Sequence, residues 1–142
     1  MSTIAQIHST TTGTTTSERQ PVWKHGVAAA AVAAVATTVL AVIAKAAGVS
    51  FADSTGASIP IAGFAELTVF FSLLGTGVAA VMARKARRPR STFVRTAVAL
   101  TVLSYVPDLI AGFSAGSAAT LIALHTVAAV IVVPVLAKRL AR

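Results

Sequence analysis

The sequence has 142 residues, of which 56% are hydrophobic and 11% charged, and its mean hydropathy is +0.83. A water-soluble domain carries roughly a quarter charged residues, so this composition excludes an ordinary soluble domain, and the lack of cysteine excludes disulfides, thiolate catalysis, cysteine-ligated zinc and iron–sulfur clusters. Twelve Lys and Arg against four Asp and Glu give a formal charge of +8, and these cations sit between apolar runs, which points to membrane topology rather than nucleic acid.

Residues 1–20 carry six threonines between Thr10 and Thr16 and show no periodic apolar face. They read as a disordered Thr-rich tail. Residues 21–142 read as one membrane domain with four apolar runs, at about 23–47, 59–82, 93–113 and 117–137. Each is near the ~20 residues that cross a ~30 Å hydrocarbon layer. The short alternating strands of an outer-membrane barrel are absent. Helices remain, because lipid offers backbone groups no partner. The expected fold is all-α, a bundle of four transmembrane helices. The first run is expected to be retained as a span, because its apolar stretch 27–44 is longer than a secretory signal core of roughly 7–15 residues.

Lys and Arg placement sets the expected orientation. With four spans, Arg19, Lys24, Arg84, Lys85, Arg87, Arg88, Arg90, Arg95, Lys138, Arg139 and Arg142 fall on one side, and only Lys45 on the other. The positive-inside rule then places both termini and the basic hairpin in the cytoplasm, N-in and C-in, with the chain multi-pass in the cell membrane. Topology alone accounts for the hairpin. The 84–95 segment also suits anionic lipid headgroups, at ~1 kcal/mol per cation. Nucleic acid is not expected as a partner, because no aromatic residue interleaves the cations of the loop 84–90.

The acidic residues are few. Glu18 lies in the tail, and Asp53 stands beside Ser54, Thr55 and Gly56 in a turn-forming stretch. Glu66 and Asp108 fall inside spans, where a carboxylate costs ~2.5–3.5 kcal/mol and so faces the bundle or water. Counting residues at 1.5 Å each places Glu66 ~10 Å, Asp108 ~8 Å and His125 ~12 Å below the outer boundary. Glu66, Asp108 and His125 are therefore the expected acid–base groups of one buried site. Tyr105, Ser104, Thr101 and Lys45 are the expected substrate-side groups. Thr101, Ser104 and Asp108 follow i, i+3, i+7 spacing, and such hydroxyls are expected to bond across helices. Pro107 leaves two readings for Asp108, a kinked helix that continues past it or a loop cap; the length of the third run favours the kink. Gly63, Gly75 and Gly77 are expected at close helix contacts, and Pro134 at a kink. No metal-ligand spacing, cofactor motif or nucleophile elbow is present.

An apolar pocket favours the neutral forms of acids and imidazoles alike, which suits general acid–base chemistry on a lipophilic small molecule entering from the bilayer. Isomerisation, cyclisation and hydrolysis all fit. Two other readings stay open: a proton-coupled transporter acting as a homo-oligomer, and a membrane accessory protein whose polar groups only join helices.

The stretch Ser104, Tyr105, Val106, Pro107, Asp108 and Leu109, together with Leu124, His125 and Thr126, the four-span layout and the basic hairpin, resembles an uncharacterised actinobacterial family of small four-helix membrane proteins. That resemblance implies location and architecture, and carries no activity to this chain.

Overall fold

The computed structural model describes residues 22–140; the expected disordered tail, 1–20, lies outside them. Five helices follow in chain order: α1 Val22–Ala46, α2 Ile61–Lys85, α3 Pro89–Leu103, α4 Tyr105–Ile110 and α5 Ala115–Arg139. α3 and α4, interrupted only at Ser104, count as one crossing, so four stretches of 22 to 25 residues are long and apolar enough to span a membrane. No strand forms among the described residues, apart from a single bridge between Ala52 and Ser58. The chain is an all-helical, multi-pass membrane protein.

Local chemistry sets the helix ends. Pro89 opens α3 at a position where its missing N–H costs nothing. The Ser114 side chain caps α5 by accepting a hydrogen bond from the Ser117 N–H. The third crossing stops at Ile110, short of the expected Phe113, because Gly112 turns the chain with a φ of 75°. α2 runs on to Lys85 and α3 starts at Pro89, so the basic hairpin is tighter than expected. Its cations are mostly helical. α5 passes through Pro134 unbroken.

The helices form a ring in the order α1, α2, α3, α5, and α1 closes it against α5. Small residues make α1 the tightest member. Gly26, Ala29, Ala30, Ala33, Ala34, Thr37 and Ala41 are buried along one face, which lets neighbouring backbones approach closely. The closest approach is at Gly26, where any Cβ would collide with the Thr76 side chain. Gly75 and Gly77, expected at such contacts, face open space instead.

Two hydrophobic clusters divide the bundle. One joins Ala29, Ala33, Ala79, Phe93, Val132 and Leu136 near the hairpin. The other joins Ala41, Phe51, Phe64, Leu121 and Leu124 at the opposite end. Phe51 comes from the 47–60 connection and is fully buried, its ring 5.0 Å from that of Phe64. Its φ of 52° is unusual for a side chain of that size, and burying the ring offsets the strain. The connection then crosses to the α4–α5 turn, where Ser54 donates to the Ala111 carbonyl and packs on Gly112. Within this strap the Thr55 hydroxyl and N–H, and the Ala57 N–H, donate to Asp53. The Thr55 hydroxyl, foremost among these, holds the Asp53 carboxyl below its ordinary pKa.

Charge divides the molecule along the same axis. Of the ten described Lys and Arg, nine stand at the end where α1 and α3 begin and α2 and α5 finish. The described acids, Asp53, Glu66 and Asp108, all lie in the other half. Arg90 even occupies the first turn of α3, where the helix dipole disfavours a cation. Helix stability therefore does not explain that placement.

Candidate functional site

Pro107 builds the site by what it lacks. With no N–H, it cannot bond the Leu103 carbonyl, and its ring crowds that turn. The third crossing accordingly breaks at Ser104 and resumes as α4. Asp108 therefore lies in a helix rather than in a loop. Its side chain is only 9% exposed and reaches α5, where Oδ2 stands 3.1 Å from His125 Nδ1. This is the one ion-pair contact among the described residues.

His125 Nδ1 has two oxygen neighbours. The Leu121 carbonyl, one turn earlier, lies 2.9 Å away and accepts its hydrogen bond. Asp108 Oδ2 is nearby but off the N–H direction, and is otherwise an unpartnered buried oxygen. A carbonyl and a carboxyl flanking one ring nitrogen select the tautomer with its proton on Nδ1. Nε2 is left with its lone pair, and it makes no hydrogen bond among the described residues. Beside this pair, Tyr105 Oη is 2.8 Å from Thr126 Oγ1, and the Tyr105 ring stands edge-on to His125 at 6.5 Å.

The remaining candidates lie elsewhere. Glu66 is exposed on α2, about 160° round the helix from Phe64 and Thr68, which face the bundle. It forms no hydrogen bond or ion pair among the described residues, and no triad of acids and imidazole forms with Asp108 and His125. Spacing along the chain put Glu66 at the right depth, but its helical phase turns it outward. Lys45 is likewise exposed and pairs with nothing described. Thr101 and Ser104 donate to carbonyls of their own helix, at Ala97 and Thr101, rather than across the bundle; a helical hydroxyl satisfies itself this way without a partner. The hydroxyl bonds that do cross helices join Thr37 to Thr68 at 3.0 Å and Tyr105 to Thr126 at 2.8 Å.

The site has an open side. No Cα of α4 comes within 8 Å of α1 or α2; α4 packs on α5 alone besides its continuation of α3. Phe64, Phe71 and Val78 share one face of α2 at seven-residue spacing. Phe64 is buried in one cluster and Val78 packs on the other, but Phe71 between them is 61% exposed. Leu67, beside it, is exposed too. The same gap shows on α5: Leu121 and Val132 are buried on the bundle-facing stripe, while the His125 side chain on that stripe is 42% exposed. Phe64 shares a cluster with Leu121 and Leu124, so this part of α2 stands level with the Asp108–His125 pair. Exposed Leu67 and Phe71 of α2 thus border an apolar seam that α4 leaves uncovered, on the side of the bundle where His125 is partly exposed. Sequence spacing had no means of showing this seam, because it arises from a helix that is missing from contact.

No curated protein and no solved structure matches the chain. A family model matches residues 17–142, and with that share of its length covered the chain belongs to DUF6069, a family of unknown function.

Proposed function

We propose that the protein performs acid–base chemistry on a lipophilic small molecule that enters from the bilayer through the α2–α4 seam. His125 Nε2 takes up the proton. Asp108 holds the ring beside the Leu121 carbonyl and stabilises the imidazolium that forms, as carboxylates do for catalytic histidines elsewhere. Tyr105 and Thr126 present a hydroxyl pair that orients a polar end of the substrate. Thr101, Ser104, Glu66 and Lys45 have no assigned part in this reading. The observation that carries it is a bundle-facing histidine, fixed at Nδ1 and 42% exposed through an apolar opening. Isomerisation, cyclisation and hydrolysis can each use such a base. The basic end faces the cytoplasm of a cell membrane, so the site lies in the outer half.

The test compares lipid extracts of membranes carrying the wild-type chain, His125→Ala or Asp108→Asn at matched abundance, after growth in deuterated water. A lipid-soluble species that gains deuterium only with the wild type supports the reading. Indistinguishable extracts at equal abundance overturn it. Proton-driven efflux of an unaltered lipophile from vesicles would move the assignment to transport.

A further inference from the structure

Arg95 is the least explained cation in the molecule. It lies one and a half turns into α3, about 9 Å past Pro89 along the helix axis. It is exposed, and no acid stands in that half of the described chain. A cation this near a helix end reaches back to the headgroup region rather than pairing inside the bundle. Arg88 is the N-cap residue of α3, with non-helical backbone (φ −131°, ψ 72°), about 10 Å nearer the basic end. Both guanidinium side chains are exposed, and neither forms an ion pair among the described residues. The stripe continues upward through Val98 and Val102, at three and seven residues from Arg95, and both are exposed. α3 therefore has one planar cation at its start and a second on an exposed face that continues as an apolar track.

We infer that this face of α3 is a binding site for an anionic phospholipid of the leaflet at the basic end. The phosphate sits between Arg88 and Arg95, and an acyl chain lies along Val98 and Val102. Arginine suits this task, because its fork of donors matches phosphate oxygens. The order of groups along the helix, cation then apolar, matches the order of headgroup and chain in a lipid. A free phosphate would have no use for the valines, and a nucleic acid none for a track that enters the bilayer. The inference is independent of the acid–base site at the other end.

Purified full-length protein, reconstituted in nanodiscs of phosphatidylcholine with one-fifth phosphatidylglycerol, tests it. This arrangement removes any effect of the substitutions on insertion in cells. The lipid that stays with the protein through re-extraction is quantified by mass spectrometry. The wild type should retain phosphatidylglycerol several-fold above its bulk share. Each cation near the surface changes affinity for anionic lipid about fivefold, so Arg95→Gln and the double variant Arg88→Gln/Arg95→Gln should bring retention to the bulk share. Arg95→Lys should keep part of it, which distinguishes lost charge from lost folding. Arg84→Gln/Lys85→Gln removes as much charge from another helix and should keep most of it. Equal loss in that control, no enrichment in the wild type, competition by millimolar inorganic phosphate, or co-purifying nucleic acid in place of lipid would each overturn the assignment.

Discussion

The two halves of the bundle solve one packing problem differently. Near the basic end, α2 meets α3, and Val78 and Met82 are covered by the cluster around Phe93. One and two turns further along, the same face of α2 finds no partner, and Phe71 is left exposed. A residue of the strap, Phe51, fills the centre there instead. The basic half is thus closed by helices, and the other half by a loop that leaves one side open. A site inside the bundle that admits a ligand from lipid needs the second arrangement; the basic half offers lipid only its outer surface.

The largest effect expected is at the loop plug. Phe51→Ala should cost about 3–5 kcal/mol, the usual penalty for emptying a buried aromatic position. Hydrogen exchange on the purified protein should show protection lost around Phe64, Leu121 and Leu124 and kept around Ala33 and Leu136. Loss spread evenly over both regions would show that the halves do not behave separately. Gly26→Ala acts on the closed half and should cost about 1–3 kcal/mol from overpacking against Thr76. Thr76→Ala in the same chain should recover most of it in thermal unfolding, a coupling that independent sites would not give. Asp108→Asn and His125→Ala break a single cross-helix contact, for which membrane proteins show about 0.6 kcal/mol on average and about 1.7 at most. A double-mutant cycle in detergent should return a coupling in that range. A value near zero would separate the two side chains energetically despite their 3.1 Å contact.

The smallest effect concerns the strap turn. The folded carboxyl of Asp53 titrates below its unfolded value. The turn's contribution is therefore complete above the unfolded value and is lost as pH falls through the lowered one. Carboxyl carbon shifts followed by NMR should show this. Thr55→Ala should move the midpoint upward, because the Thr55 hydroxyl is the main cause of the lowering.

The crossings were legible in the sequence because apolar length and cation placement are one-dimensional signals. Asp108 and His125 were legible for the same reason: ionisable groups stand out in an apolar run, and each sits on a face its own helix turns inward. Glu66 carried an equal signal, yet it faces away from the bundle. Depth can be counted along a chain, whereas the direction a helix presents depends on which neighbours it has. Phe51 gave no signal, since a lone aromatic in a polar connection does not announce that it will be buried. Gly26 was hidden for a similar reason: Gly63, Gly75 and Gly77 looked like equal candidates until the position of α1 was known.

The break at Ser104 has a consequence for how the molecule can be perturbed. A six-residue helix has too few internal bonds to persist alone. α4 is kept in shape by its seat on α5 and by Ser54 gripping the Ala111–Gly112 corner. The separation of Asp108 from His125 is therefore hostage to a solvent-side clasp more than 50 residues distant in sequence. Cutting the backbone within that clasp would unseat the carboxyl from the imidazole while the cationic end kept its shape.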